Sequence, residues 1–319
     1  MLSLAPMQGL TELLFRKVYS ICYPDAFDFA VSPFLSLTHG NLKDADKKIE
    51  DVMPGPNVGL MPVIPQILGH ETDEFIDLAN RLNDLGYNEV NWNMGCPMRR
   101  VAGKHRGSGI LPYPDEVNDI LSEVVPNIRC SLSVKIRLGY RNNDEIDKII
   151  PILNSFPIKN VTIHPRIGKQ VYSGVPDIEK FAEVLPKIKH PVSYNGDIFT
   201  VGDYVRIRTR FPQVKDVMIG RGALYNPLLP VMIRQRCPDD FSNGDRFVNA
   251  SYPSAKMFIT RLVDEIMVQN ISDQAKTRKI KEYWCLLSKS ISGTEESKRR
   301  VLHADNLEEM RRLITEMTK

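Results

Sequence analysis

The chain has 319 residues, of which 42% are apolar and 25% are charged, a composition typical of a globular protein with room for one large barrel or two ordinary domains. Its five cysteines are widely spaced and form no CxxC pair, which argues against a metal site and against a disulfide framework. The N-terminus has no basic segment before its apolar run, and no apolar run approaches the ~20 residues of a membrane helix. We therefore expect a cytoplasmic protein without a membrane partner.

Short β-rich runs alternate with helical patterns over the first 230 residues. The eight predicted strands begin near Leu2, Asp28, Pro62, Glu89, Ser131, Asn160, Pro191 and Asp216. Amphipathic helices are predicted between most of them, over 71–85, 114–125, 144–154, 177–185 and 200–211. Eight such units favour an α/β fold of the (β/α)8 TIM-barrel type over an open sheet, and no GxGxxG follows the first strand.

The strand pattern stops near residue 230, and helices are predicted over 254–269, 273–291 and 306–317. The segment 236–245 has the composition of a linker. We therefore predict a barrel domain over 1–235 and a helical domain over 246–319. Residues 231–319 hold 16 Lys and Arg against 13 Asp and Glu, so they carry the whole net charge of +3. These basic residues form either a polyanion-binding surface or a solvated helix face, and the sequence leaves both interpretations open.

One cysteine stands in a stiff turn directly after the fourth predicted strand, in the order Asn93, Met94, Gly95, Cys96, Pro97. Gly95 permits unusual backbone angles, and Pro97 fixes its own φ and disfavours helix at Cys96. Such a turn aims a single side chain, which indicates a thiol used in proton or nucleophile chemistry. The alternative is an inert core cysteine, a common fate of free thiols.

Polar residues and glycines also follow the other strands, at the end of a barrel where active sites collect. Taken alone, His164 is compatible with a satisfied core residue, and Lys135 with a lysine that reaches to the surface. Buried polar groups are costly unless paired, so a ring of them predicts a shared polar ligand. The ring comprises Pro6, Met7, Gln8, Gln66, Lys135, Arg137, His164, Arg166, Asn195, Gly196, Asp197, Gly220 and Arg221.

The glycines after the seventh and eighth strands predict a phosphate site. Gly196 precedes a helix that we expect to be capped near Thr200, and Gly220 and Arg221 precede another helical start. Glycines let the backbone approach a phosphate, and an arginine adds a charge-assisted hydrogen bond.

The remaining ring residues suit a flat heterocycle. Gln66 and Lys135 match its polar edge, and Pro6 and Met7 match its apolar face. A cation near that edge stabilises an anionic reduced flavin. One phosphate, one polar edge and one apolar face together predict FMN.

These motifs resemble the tRNA-dihydrouridine synthases from about residue 4 to residue 230, in the order found in that family. The resemblance rests on Ala5-Pro6-Met7 with Gly9, Gln66 with Leu68-Gly69, Asn91 to Pro97, Gly107-Ser108, Val134-Lys135 with Arg137, His164 with Arg166 and Tyr172, Asn195-Gly196-Asp197, and Met218 to Ala223. It implies an FMN enzyme that reduces particular uridines of tRNA with NADPH or NADH as electron donor. It further implies that Cys96 is the general acid, which protonates carbon 5 of the uracil while hydride reaches carbon 6. The FMN ligands that it implies are Gln66, Lys135, His164, Asn195, Asp197, Gly220 and Arg221, and we predict further FMN contacts from Pro6, Met7, Gln8 and Gly196.

Reduction of a base inside a folded tRNA requires that the base be extruded into a pocket, with basic residues holding the backbone. An open alternative places His164 and Arg166 near the uracil rather than at the FMN. Tyr283 and Trp284 lie among the C-terminal basic residues, as stacking platforms or as core. The predicted contacts to substrate or tRNA are Asn93, Arg99, Arg100, Lys104, Arg106, Arg166, Lys276, Arg278, Lys279 and Lys281.

Four residues depart from the family pattern: Pro165 and Ile167 stand where a glycine and a threonine are usual, and Met98 and Ala102 stand where a small residue and an asparagine are common. They leave the target uridine open. A flavin barrel acting on a free pyrimidine or small enone is the alternative function, and an RNA-binding barrel without chemistry is a third. We expect a monomer.

Overall fold

The computed structural model describes residues 1–36, 49–237, 252–291 and 293–318. Within these ranges the strands form one sheet in which every pairing is parallel, in the order β3-β2-β1-β9-β8-β7-β6-β5-β4. The strands are β1 Leu2–Leu4, β2 Phe29–Val31, β3 Val63–Ile64, β4 Gln66–Ile67, β5 Glu89–Met94, β6 Ser131–Gly139, β7 Ile158–Ile167, β8 Val192–Tyr194 and β9 Asp216–Ile219.

The two outer members of this order, β3 and β4, are separated only by Pro65. Since β3 pairs with β2 and β4 pairs with β5, the sheet closes on itself through the segment 63–67. Proline has no N–H to donate, so Pro65 interrupts the third barrel strand, while its carbonyl still accepts from the Asn91 N–H at 2.9 Å. All eight predicted strands are present, and the predicted (β/α)8 barrel is confirmed.

Helices follow most strands and cover the outside of the barrel, as its parallel strands require. The five helices predicted between the strands are confirmed, with ends shifted by a few residues. In the described part of the barrel region the helices are α1 Leu13–Cys22, α2 Pro54–Asn57, α3 Thr72–Asp84, α4 Arg99–Ala102, α5 Pro114–Asn127, α6 Glu145–Leu153, α7 Ile178–Val184, α8 Val201–Arg210, α9 Arg221–Tyr225 and α10 Leu229–Gln235.

The C-terminal region is helical, as predicted, and consists of α11 Ala255–Met267, α12 Asp273–Leu287, α13 Glu295–Leu302 and α14 Leu307–Thr318. The helix predicted to reach residue 291 ends at Leu287 and continues as a single 3-10 turn. Helix α13 was not predicted, because only Val301 is buried and no apolar stripe marks it. The predicted linker lies outside the described residues from 238 onward, and so does the start of the predicted helical domain up to residue 251.

The helical region packs against α1 through an aromatic cluster. The Phe258 ring lies 5.6 Å from Phe15 and 5.5 Å from Tyr19, and Tyr283 stacks on Phe15 at 5.8 Å. These side chains belong to the same continuous core as the barrel interior. No helix in the described ranges is both long and apolar enough to cross a bilayer.

Candidate active site

A cavity of about 430 Å³ opens at the carboxyl ends of the strands, a size suited to a cofactor. It brings together most of the residues that the sequence analysis placed in the site. The predicted site residues that line it are Pro6, Met7, Gln8, Gln66, Asn93, Cys96, Arg100, Lys135, Arg137, His164, Asn195, Gly196, Asp197, Gly220 and Arg221. The other predicted residues, described below, lie outside its lining.

A chain of side-chain amides runs through the barrel interior to the cysteine turn. The Asn91 amide donates to Ser133 Oγ at 3.0 Å and accepts from Gln66 Nε2 at 2.8 Å. Gln66 Oε1 accepts in turn from Asn93 Nδ2 at 2.7 Å. Asn93 Oδ1 then accepts from the backbone N–H groups of Gly95 at 3.0 Å and Cys96 at 2.9 Å. Gln66 and Asn93 thus orient the turn, and their contacts to cofactor and substrate stay predictions.

Cys96 lines the cavity and is only partly buried, so it does not belong to the packed core, and its chemical role stays a prediction. Burial raises the pKa of this thiol, and a hydrogen bond from the Met98 backbone and the charges of Arg137 and Lys135 offset that rise only in part. The thiol is therefore protonated near pH 7. A protonated thiol held in a fixed turn is a proton donor rather than a nucleophile.

The amine of Lys135 is the least compensated charge of the cavity. Burial, followed by the repulsion of Arg137, lowers its pKa from 10.5 to about 7. Within the described part of the chain, its Nζ makes no hydrogen bond or ion pair. An ammonium that is largely withdrawn from water and has no partner is costly, so this position calls for an electron-rich ligand group.

Arg166 is buried, with 1% of its side chain exposed, and its donors are used inside the protein. It donates to the Asp197 carboxylate at 2.6 and 2.8 Å, to His164 Nε2 at 3.1 Å, and to the carbonyls of Ser173 and Gly174 at 3.2 and 2.8 Å. A guanidinium only donates, so Nε2 of His164 carries the lone pair and Nδ1 carries the proton. Burial lowers the pKa of His164 well below its usual value, so the ring is neutral.

Arg166 therefore fixes the loop after β7 and the tautomer of His164, and its predicted contact to substrate stays a prediction. Asp197 also accepts from Arg221 Nη2 at 2.6 Å. Its carboxylate is thus shared between two arginines, and it acts on a bound ligand by orienting these arginines. A contact of Asp197 itself with the cofactor stays a prediction.

The expected phosphate site has a tight frame. Thr200 Oγ1 accepts from the Asp203 N–H at 2.9 Å and caps α8, as predicted. A Cβ on Gly222 would collide with the Ile198 carbonyl, so the loops after β8 and β9 touch here. The Arg221 guanidinium lies 5.4 Å from the centre of the Phe199 ring, in the loop after β8. This frame, the unpaired amine of Lys135 and the apolar Pro6 and Met7 fit FMN.

Sequence reasoning missed the role of Tyr172, although the residue is part of the family pattern. Its ring lines the cavity, 4.4 Å from the Arg221 guanidinium and 6.2 Å from the His164 ring. Val171 before it has φ +51°, a strained conformation for a β-branched residue. No sequence pattern reveals this turn, which directly precedes the ring that lines the cavity.

The basic residues after Cys96 lie on one exposed loop at the rim. Arg100 lines the cavity itself, and Arg99 begins the short helix α4. Arg106 Nε donates to His70 Nδ1 at 3.0 Å, which ties its side chain to the end of the third barrel strand. Lys104 is exposed on the same loop. Their contact to RNA stays a prediction.

The basic residues of α12 differ from one another in their surroundings. Lys279 Nζ pairs with the Glu12 carboxylate at 2.5 Å, so it joins the helical region to the barrel. Lys276 lies 3.9 Å from Asp273. Arg278 and Lys281 line an open groove beside Cys285.

Tyr283 and Trp284 belong to the core, with 2% exposure each, so the stacking alternative is wrong. The Tyr283 hydroxyl donates to the Leu10 carbonyl at 2.6 Å, and Leu10 lines the cavity. Trp284 Nε1 donates to the Lys298 carbonyl at 2.9 Å. Helix α12 thus touches the wall of the cavity without offering these rings to a base.

A family model described as dihydrouridine synthase matches residues 3–317. The chain belongs to this family. It is 31% identical to tRNA-dihydrouridine synthase B of Pasteurella multocida over 71% of the chain and 66% of that protein. It is 24% identical to tRNA-dihydrouridine(16) synthase of Neisseria meningitidis serogroup B over 99% of the chain and 94% of that protein. The predicted class, a flavin-dependent oxidoreductase that uses FMN and a nicotinamide, is confirmed.

Solved structures with the same fold include morphinone reductase, with a TM-score of 0.52 and 12% identity over 79% of this chain and 90% of that one. The old yellow enzyme from Trypanosoma cruzi has a TM-score of 0.54 and 8% identity over 79% of this chain and 94% of that one. At such low identity, the similarity supports the barrel fold alone.

Proposed function

We propose that this protein reduces uridines of tRNA to 5,6-dihydrouridine, with Cys96 as the proton donor. The single observation that carries the proposal is that one cavity holds both a neutral, fixed thiol at Cys96 and an unpaired amine at Lys135. The thiol has the protonation state that a general acid needs, and the amine matches the electron-rich edge of a reduced flavin.

The chemistry that FMN supplies when bound is hydride transfer to carbon 6 of the uracil. Cys96 gives its proton to carbon 5, so the ring gains one hydride and one proton in all. Lys135 and the neutral His164 supply donors along the cavity floor, and Arg221 with Gly220 and Gly222 would hold the phosphate. Tyr172 covers the cavity from the loop after β7.

We propose that the substrate nucleotide enters as a base extruded from the RNA, because a stacked base cannot reach a cavity inside the barrel mouth. The exposed cations of Arg99, Arg100 and Lys104 stand at this mouth, and Arg278 and Lys281 stand on α12. Charges of this kind bind RNA phosphates in a salt-dependent manner. We further propose that the protein acts as a monomer.

Purified protein incubated with FMN should bind it and turn yellow, and with NADPH it should form dihydrouridine in unmodified tRNA. Free uridine should not be a substrate. Binding of FMN with turnover of free uridine, and none of tRNA, would instead support the alternative enzyme. A colourless protein after incubation would refute the flavin site.

A further inference from the structure

The basic loop, residues 98–106, contains no acidic residue and begins directly after the cysteine turn. Its far end returns to its start. Both the N–H and the hydroxyl of Ser108 donate to the carbonyl oxygen of Cys96, each at 3.0 Å. The loop is therefore closed on the backbone of the residue that we propose as the proton donor.

Close packing holds this closure in place. Gly107 has φ +57°, and a Cβ there would lie 2.6 Å from the Cys96 carbonyl oxygen and 2.9 Å from its Cβ. Ser108 is fully buried. A Cβ at Gly168 would lie 2.6 Å from the Ser108 hydroxyl, so this hydroxyl is wedged between the turn after β5 and the end of β7.

The opposite side of the turn is held independently of the basic loop. Asn93 binds the N–H groups of Gly95 and Cys96, and Arg137 Nε donates to the Gly95 carbonyl at 2.9 Å. The carbonyl group of Cys96, on the other side of the residue, is bonded instead by Ser108. Movement of the basic loop therefore reaches the thiol through Ser108 at this side of the turn, and through the Met98 backbone that bonds the thiol at the start of the loop.

We propose that Ser108 is a positioning residue, which links RNA held by the basic loop to the placement of the Cys96 thiol for proton transfer. The inference rests on the proposed function. A displacement of a reacting group by about 1 Å costs on the order of 10²-fold in rate. Loss of Ser108 should therefore slow proton delivery without weakening the binding of RNA.

The first test compares Ser108→Ala with wild type in the FMN-loaded, full-length protein. We expect kcat for dihydrouridine formation in tRNA to fall at least about fivefold, with KM for tRNA within about twofold. Reduction of the flavin by NADPH, measured separately, should be unchanged. A smaller fall in kcat, or an effect on KM alone, overturns the proposal.

Ser20→Ala is the matched control. Ser20 is also buried, and its hydroxyl accepts from the Met61 N–H at 2.9 Å, so this variant also loses a buried hydrogen bond, but on α1 and outside the cavity. It should keep kcat within about twofold of wild type. A fall equal to that of Ser108→Ala would assign both effects to general loss of stability and overturn the proposal.

The second test needs no tRNA, so it separates a failure of this inference from a failure of the proposed function. Iodoacetamide labelling of Cys96 is measured by peptide mass spectrometry relative to the exposed Cys285. Ser108→Ala should raise this ratio severalfold, because a freed turn exposes the thiol, and Ser20→Ala should not. An unchanged ratio overturns the role of Ser108, whatever the wild type does with tRNA.

Discussion

The substitution Lys135→Met tests whether the cavity is built around a ligand that compensates a buried charge. Methionine keeps most of the length of the side chain and removes the ammonium. The pKa of Lys135 is lowered from 10.5 to about 7, and lowering a pKa by one corresponds to about 1.4 kcal/mol. In FMN-free protein, the ammonium therefore costs at most about 4 kcal/mol at pH 7 and about 2 kcal/mol at pH 9.

The sign follows from proton binding. Between pH 7 and pH 10.5 the unfolded chain keeps the proton on Lys135 more readily than the folded chain, so the stability of the wild type rises with pH. Lys135→Met removes this dependence. The side chain keeps some contact with the cavity, so we expect at least half of each value as a gain in the free energy of unfolding. FMN binding should be weakened by the same change.

Urea unfolding of FMN-free protein at pH 7 and pH 9 measures the effect. The fluorescence of the two buried tryptophans, Trp92 in β5 and Trp284 in α12, follows the barrel and the helical region. The control Lys159→Met removes a half-exposed lysine that pairs with Glu89 at 2.7 Å, and should change stability by less than about 1 kcal/mol. A loss of stability in Lys135→Met, or a difference that grows with pH, would refute the reasoning.

Three further predictions concern the thiol of Cys96, the buried carboxyl group of Asp216 in β9, and the basic residues of α12. Cys96→Ala should retain FMN and its reduction by NADPH but slow dihydrouridine formation by about 10²- to 10⁴-fold, and a near-normal rate would exclude the thiol as general acid. Burial raises the pKa of Asp216 to about 6, so the stability of the wild type should fall as the pH rises from 4 to 6. In urea unfolding, Asp216→Asn should raise the free energy of unfolding by about 2–3 kcal/mol at pH 7.5 and leave it unchanged at pH 4. An equal effect at both pH values would contradict this reasoning. The double variant Arg278→Glu with Lys281→Glu should retain FMN but bind tRNA more weakly in a gel shift, with a smaller dependence on salt. As a control, Lys279→Glu should chiefly lower thermal stability. Unchanged tRNA affinity in the double variant would place the RNA surface elsewhere.

The barrel and the position of its active site were predictable because their signals are local. Each strand is a short β-rich run with polar residues after it, and the Thr200 cap lies three residues from its partner Asp203. The turn at Gly95, Cys96 and Pro97 depends on the backbone preferences of adjacent residues. Such features need no knowledge of distant contacts.

The partners of the site residues were not predictable, because they come from residues far apart in the chain. Gln66 and Asn93 are predicted as ligand contacts, and the structure adds that their amides form a hydrogen-bonded relay to the cysteine turn. Lys279 reads as an RNA contact, yet it pairs with Glu12, 267 positions away. Residue type gives the chemistry of such a side chain, and only the fold decides whether it serves a ligand or a neighbour.

Helix α1 has a barrel element on one side and the C-terminal helices on the other, and its aromatic residues belong to both. Cutting the chain near residue 235 would leave Phe15 and Tyr19 facing water and release Leu10 from the hydroxyl of Tyr283. The barrel therefore depends on the C-terminal helices to complete its packing around α1. Exchange of the C-terminal helices between relatives should succeed only when α1 travels with them.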